Sequence, residues 1–432
     1  MKLSVIGCGY LGAVHAAAMA SIGHSVVGID VDADKIALLN SGRAPFFEPG
    51  LAELLTEALA SGNLRFSTDF ADAAGAEAHF VAVGTPQSKD GLGADLRYVH
   101  SAVDALLPHV APGDVVVGKS TVPVGTAEAL AERINPTGAV LAWNPEFLRE
   151  GFAVEDTLRP DRLVYGVGEG AERAESVLDA VYHVALAAET PKIVTGYATA
   201  ELVKVSANAF LATKISFINA MAEISEVTGA DVTALADAIG MDARIGRRFL
   251  NAGVGFGGGC LPKDIRAFRA RAEELGVGHS VAFLGEVDAI NLRRRDRVVD
   301  LTTALLDGDV TGRKVAVLGI AFKPNSDDIR DSPALDIASR LAALGADVVA
   351  TDPEAIENAR RIQPDMTFGT VEEALTDADI VLLLTEWKDF TGLDPVWAAS
   401  LVKTPLIIDG RNALPHTQWI DAMWEYHGLG RR

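Results

Sequence analysis

Residues 3–30 read LSVIGCGYLGAVHAAAMASIGHSVVGID, and their pattern decides the architecture. The apolar run LSVI has the length of a strand, and Gly7, Gly9 and Gly12 form a turn behind it. An Ala-rich helix then runs to Gly23, and HSVVGI returns as a second strand ending at Asp30. Leu3 to Ile29 contains no Asp, Glu, Lys or Arg, which gives it a superficial likeness to a signal peptide or membrane span. The three glycines break the apolar run where a signal needs continuity, and His15 and His24 interrupt the remainder. The stretch therefore reads as folded strand–turn–helix–strand.

The same pattern continues outward. HFVAVGTP, DVVVGKST and AVLAWNPEF are strand-like and are separated by helical stretches such as YVHSAVDALLP. It starts again near residue 312, with RKVAVLGIAFKP, SPALDIASRLAALG and ADVVATDP, then ADIVLLLTEW and TPLIIDGRN. GHSVVGID at 23–30 and GADVVATD at 345–352 occupy the same place in the two runs. Alternating strand and helix means a parallel sheet, so the fold class is α/β: two Rossmann-like doubly wound domains. TAELVKVSANAFLATKISFINAMAEISEVTG, between them, reads as one long central helix of about 45 Å. Its apolar residues lie on more than one face, which suits pairing with a second copy or a buried intramolecular spine.

Bulk properties narrow the partners. The 432 residues allow two or three domains, and 49% hydrophobic with 22% charged residues is a globular composition. With 38 basic and 59 acidic residues the net charge is −21, which repels nucleic acid and anionic membranes. An anionic ligand must meet individually placed cations. Cys8 and Cys260 offer neither metal-ligand spacing nor a disulfide framework, so no metal is expected and a cytoplasmic, reducing compartment fits.

Ligands of open α/β sheets bind beyond the carboxyl ends of the strands. At the first such end stand Gly7, Gly9, Tyr10, Leu11 and Gly12, a G-x-G-x-x-G turn that follows a strand and opens a helix. The bare backbone and the helix N-terminus suit a pyrophosphate, and Asp30 suits a ribose diol. A carboxylate there repels a 2′-phosphate, so NAD is expected over NADP, with Lys35 near the ribose. The second half has no such fingerprint; GIAFKPNSDDIRDSP replaces it with a longer loop carrying Lys323 and Arg330, cations that suit a phosphorylated ligand.

GFGGGCLPKD at 255–264 sets Cys260 behind glycines and ahead of Pro262, a residue suited to the first turn of a helix. A helix N-terminus and the adjacent Lys263 both favour a thiolate, and the glycines are expected to clear a path to the sulfur. Lys204 and Asn208, four apart, share a helix face on which they could steady a developing oxyanion. A nicotinamide cofactor with a nucleophilic cysteine suggests an alcohol carried to a carboxylic acid in one site, because a thiohemiacetal offers a second hydride and water then cleaves the thioester.

GFGGGCLPKD, STVPVGT, NPEFLREG, ELVKVSANAFLATKISFINA, GMDARIGRRFLNAGVGFGG and FKPNSDDIRDSP together resemble the UDP-glucose/GDP-mannose dehydrogenase family, and within it the UDP-glucose 6-dehydrogenases. The resemblance implies oxidation of UDP-glucose to UDP-glucuronate by two NAD, with Cys260 as nucleophile and Lys204 and Asn208 stabilising oxyanions. It implies Glu146 as general base, with Thr121 and Asp264 holding a water or relaying its proton. Thr85, Thr121, Glu150, Lys263 and Arg330 fall at cofactor contacts. Phe147, Leu148, Lys204, Leu250, Asn251, Phe256, Gly257, Phe322, Lys323 and Arg411 fall on the nucleotide-sugar side, and Arg244 at the partner subunit's site. It further implies a homodimer through the long helix. The division expected is 1–195 for NAD, 196–300 for the helical dimerisation region with the cysteine loop, and 301–432 for the UDP-sugar. CLPKD also occurs in GDP-mannose dehydrogenases, and many members have serine at the place of Gly259. GDP-mannose or UDP-N-acetylmannosamine dehydrogenases, two-electron hydroxyacid dehydrogenases and a non-catalytic NAD-sensing scaffold are the rival readings.

Overall fold

The computed structural model describes residues 1–170 and 172–431, in two compact units. The first comprises 1–207 with 270–276, and the second 208–269 with 277–432.

The first unit is built on eight strands: β1 (Lys2–Ile6), β2 (Ser25–Ile29), β3 (Leu64–Ser67), β4 (Ala78–Val81), β5 (Val115–Gly118), β6 (Val140–Trp143), β7 (Leu163–Val167) and β8 (Lys192–Thr195). Their order is β3-β2-β1-β4-β5-β6-β7-β8, parallel throughout except where β6 meets β7. The order reverses between β1 and β4, which leaves a crevice at their carboxyl ends. Both faces are covered, so neighbouring strand residues serve different cores: Leu3 and Val5 join one cluster and Ile6 the other. The charge-free N-terminal stretch is explained by this burial. The helix Tyr10–Ser21 is buried from Gly12 to Ala20, and no helix among the described residues is long and apolar enough to cross a membrane.

The second unit carries β9 (Lys314–Leu318), β10 (Asp347–Thr351), β11 (Thr367–Phe368), β12 (Ile380–Leu383), β13 (Leu406–Asp409) and β14 (Glu425–Gly428). They lie in the order β11-β10-β9-β12-β13-β14, all parallel. This repeats the arrangement of the first six strands of the other sheet, as the internal echo in the sequence suggests. The unit also contains the helices Val232–Gly240 and Phe283–Leu305. The long helix is a single element, Tyr197–Thr228, and the division between the units falls inside it.

Close packing at the end of β5 shapes the ground from which the functional residues rise. Trp143 is 1% exposed, and a Cβ added to Gly118 would lie 2.1 Å from its ring. Gly118→Ala is therefore expected to lower stability by about 1–3 kcal/mol through overpacking, read as a fall in Tm. An unchanged Tm would show that the indole can move aside.

Candidate functional site

In the first unit the turn after β1 is shaped by glycine. Gly7 has φ +89°, and a Cβ on Gly12 would sit 1.8 Å from the Gly7 carbonyl oxygen, so only glycine lets the helix start this close to the strand. Gly9 is the N-cap residue of Tyr10–Ser21; no side chain of the described residues caps it, and the space beside its Cα is open. First-turn N–H groups over a bare backbone fit the pyrophosphate of a dinucleotide.

Asp30, at the end of β2, is 8% exposed. It accepts from the Cys8 amide at 2.8 Å, the Asp32 amide at 3.1 Å and Lys35 Nζ at 2.9 Å. Those bonds aim the carboxylate and leave acceptor capacity for a ribose hydroxyl. Tyr10 and Leu11 have more structural duties. The Tyr10 hydroxyl donates to Glu48, whose carboxylate also accepts from the Gly151 amide at 2.7 Å and the Ala153 amide at 2.6 Å. Leu11 packs on the adjoining core. Glu48 thereby ties down the turn that holds the buried Glu150. Thr85 Oγ1 donates to the Thr121 carbonyl at 2.8 Å and joins the ends of β4 and β5.

Glu146 stands beyond β6. Its Oε1 accepts from the amides of Phe147 at 2.8 Å and Leu148 at 3.0 Å, and its Oε2 lies 3.0 Å from Lys119 Nζ. The Phe147 ring is near two cations: Arg162 Cζ is 3.9 Å and Lys204 Nζ 5.4 Å from its centroid. Lys204 is thus half-buried, with its ammonium over an aromatic face.

The helix Leu261–Glu274, whose first turn lies in the second unit, begins directly after Cys260, whose carbonyl accepts from the Asp264 amide at 3.0 Å. Cys260 is therefore the N-cap residue and its side chain is exposed at the positive end of the helix dipole. Pro262 occupies the first turn, where its missing N–H leaves no gap in the ladder. Cys8 is the contrast: burial and then the nearby Asp30 charge push its thiol well up, which suits an inert core residue. Asp264, 4% exposed, accepts from Lys263 Nζ and from Asn208 Nδ2, each at 2.6 Å.

The glycines before Cys260 have a packing duty that the sequence does not announce. A Cβ at Gly255 would meet Asn291 Oδ1 at 2.3 Å, at Gly257 the Asp331 carbonyl at 2.3 Å, at Gly258 the Phe322 ring at 2.7 Å, and at Gly259 the Arg330 guanidinium at 2.3 Å. These glycines let the loop press against the protein itself. Asn291 grips both sides of Phe256, accepting from its amide at 2.7 Å and donating to its carbonyl at 2.9 Å. Arg330, next to Gly259, pairs with Asp328 at 2.7 Å, and Lys323 Nζ lies 5.1 Å from the Phe322 centroid.

The remaining candidates divide. Arg411 is a strut, donating to the carbonyls of Leu384 at 2.8 Å, Gly255 at 3.0 Å and Phe322 at 3.0 Å. Leu250 is buried, whereas Asn251 accepts from Arg247 at 2.8 Å. Arg244 stands apart, exposed and paired at 2.6 Å with its neighbour Asp242. Sequence reasoning misses Glu48, Lys119, Glu201 and Asn291. Glu201, 2% exposed, accepts from the amides of Gly125 at 2.8 Å and Ala127 at 2.7 Å and so fixes the STVPVGT segment. Burial pushes the Glu201 carboxyl up, against the pull of those same amides. Lys119 alone had a readable signal, since it follows an apolar strand and directly precedes Ser120 and Thr121.

Models of one family match the chain in three consecutive parts: its NAD binding domain at 1–186, its central domain at 198–293 and its UDP binding domain at 316–416. The chain belongs to the UDP-glucose/GDP-mannose dehydrogenase family. It is an NAD-dependent nucleotide-sugar dehydrogenase. It is 41% identical over 437 residues to UDP-glucose 6-dehydrogenase of Rhizobium meliloti (strain 1021), with all of both chains covered. Its structure is similar to that of a UDP-glucose dehydrogenase from the archaeon Pyrobaculum islandicum, with TM-score 0.90 and 40% identity over 100% of this chain and 98% of that one. It is also similar to a UDP-D-ManNAc dehydrogenase from Pyrococcus horikoshii, with TM-score 0.86 and 26% identity over 100% and 99%. The glycine turn, Asp30 and Glu146 of this dehydrogenase lie in the first matched part, Lys204, Asn208 and Cys260 in the second, and Phe322, Lys323, Arg330 and Arg411 in the third.

The cysteine loop yields a direct test. Gly258 combines φ +82° with the Phe322 contact, so Gly258→Ala is expected to cost about 1–3 kcal/mol or more. Gly91→Ala, with nothing within 4 Å, serves as control and should stay within about 0.5 kcal/mol. Equal Tm values for the two variants would refute the packing role.

Proposed function

We propose that this dehydrogenase carries UDP-glucose through four electrons of oxidation to UDP-glucuronate, with Cys260 as covalent nucleophile. The observation that carries the reading is the exposed Cys260 side chain at a helix N-terminus, one turn ahead of a buried Asp264 that holds Asn208. Identity of 40% to a solved UDP-glucose dehydrogenase, against 26% to a UDP-D-ManNAc dehydrogenase, supports glucose as the sugar.

NAD, when bound along the glycine turn and Asp30, supplies the hydride acceptor. The chain's own residues do the rest. Lys204 offers an ammonium to the alkoxide as it develops, and Asn208 keeps a second amide N–H for the same oxygen after giving one to Asp264. Loss of the alcohol proton to the water held by Thr121 and Asp264, and of a first hydride to NAD when bound, would leave an aldehyde, to whose carbon the Cys260 thiolate adds, forming a C–S bond and a thiohemiacetal oxyanion. Removal of the second hydride leaves a thioester. Glu146 takes a proton from water as the water attacks that carbonyl; the C–S bond breaks and the thiolate and the sugar acid are released. Thr121 and Asp264 hold the water, while Thr85, Glu150, Lys263 and Arg330 serve the cofactor. Phe147, Leu148, Leu250, Asn251, Phe256, Gly257, Phe322 and Lys323 line the sugar nucleotide, with Arg411 fixing the backbone beneath it and Arg244 reaching the partner subunit's site.

The enzyme acts as a homodimer. Phe210, Phe217 and Ile224 recur every seven residues on the long helix and are 67%, 49% and 53% exposed. Such a stripe suits a second copy of the same helix.

Two moles of NADH per mole of UDP-glucose are expected, and a limiting ratio of one would reduce the reaction to a two-electron oxidation. Cys260→Ala should abolish acid formation and leave NAD affinity nearly unchanged; full uronate production by that variant would exclude the thioester. Phe217→Glu should shift sedimentation from dimer to monomer, and a monomeric unmutated protein would remove the dimer from the account.

A further inference from the structure

Lys119 is 3% exposed, and an ammonium so placed needs every N–H satisfied. Its three acceptors are Asn144 Oδ1 at 3.0 Å, the Tyr182 hydroxyl at 3.1 Å and Glu146 Oε2 at 3.0 Å. The first two are fixed in turn. Tyr182 donates to Asn144 Oδ1 at 2.6 Å, and Asn144 Nδ2 donates to the Val164 carbonyl of β7 at 3.0 Å. Burial works against the charge on Lys119, and the Glu146 and Tyr182 oxygens more than offset it, so the group stays protonated. A rigid polar chain thus runs from β7 to one oxygen of Glu146, while backbone amides hold the other. Three of about four acceptor positions on the carboxylate are taken, which leaves one, on Oε2.

The structure assigns Lys119 as a positioning residue for Glu146: its buried ammonium holds the carboxylate turned so that its one remaining acceptor position meets the water that cleaves the thioester. This rests on the reading of Glu146 as general base. Besides Lys119 and Tyr182, the small cavity beside Glu146 is lined by His15, Asp156, Asp161 and Arg162. Burial pushes His15 well below the ordinary imidazole value, so it is neutral, and Asp156 is paired with Arg149 at 2.6 Å. Lys119 is the cation in direct contact with Glu146.

The test compares Lys119→Met, Glu146→Gln and the double variant. Lys119→Met should lower kcat by about tenfold to a hundredfold, within the range that a misplaced base costs. It should change kcat/KM for UDP-glucose much less, because water attack follows formation of the covalent bond. Enzyme quenched with acid during turnover should then carry sugar-nucleotide mass on Cys260. The double variant should be no slower than Glu146→Gln. Should Lys119→Met fail to fold, Tyr182→Phe carries the same readouts, with an expected loss of about threefold to tenfold in kcat as both hydrogen bonds of its hydroxyl, from Lys119 and to Asn144, are removed. A slow Glu146→Gln beside a Lys119→Met of unchanged kcat overturns the positioning role, as do losses that multiply in the double variant or an equal fall in kcat and kcat/KM. A Glu146→Gln of unchanged kcat overturns instead the reading of Glu146 on which the proposal rests.

Discussion

Before Cys260 can stand at the start of its helix, the chain at 255–259 must lie against Asn291, Asp331, Phe322 and Arg330 closer than any Cβ allows. The second unit is organised around that close approach. Asn291, buried at 0% exposure on the helix Phe283–Leu305, clamps Phe256 from one side. The 322–333 loop closes on the other, and Arg411 gathers the carbonyls of Gly255 and Phe322 with one planar guanidinium. Arg266 and Arg295 hold Asp331, which has φ +49°, at 3.3 and 2.7 Å. Hydrogen bonds from Asn291, Arg411 and Arg295 make so irregular a stretch of backbone affordable away from water.

Electrostatics in both units follow one pattern. A net charge of −21 would repel a diphosphate ligand, and three of the cations expected at ligand contacts are held by carboxylates of the chain. Lys35 pairs with Asp30, Lys263 with Asp264 and Arg330 with Asp328. Arg330 is largely exposed, and an ion pair of that kind is worth roughly 0–1 kcal/mol. The Lys119–Glu146 pair differs in kind. Its ammonium is inaccessible, and breaking such a pair costs about 3–5 kcal/mol because the orphaned charge stays buried.

Periodicity made the alternating strands and helices readable, and the repeated order of the two sheets followed from the echo between 23–30 and 345–352. Strands without an apolar run escaped it. LRFS, KIVT and EYHG are short and half polar, and they join the sheets only because a neighbouring strand offers its edge. The antiparallel turn of β7 has no local cause either. In the site, Cys260 at the helix start was readable from Pro262 and Lys263, since an N-cap depends on the next few residues alone.

The rest required the folded chain. Glu48 meets Gly151 from 103 residues away, Glu201 meets Gly125 from 76, and Asn291 meets Phe256 from 35. In the sequence these are ordinary polar residues; burial beside an unpaired amide gives them their roles. The glycines before Cys260 show the division most clearly. By itself the sequence determined that the loop must be bare of side chains and that a helix begins at the thiol, because both depend on local backbone preference. Only the tertiary structure decided what the bareness is for, because the atoms that would collide with a Cβ come from Asn291 and the 322–333 loop, which no local rule brings near.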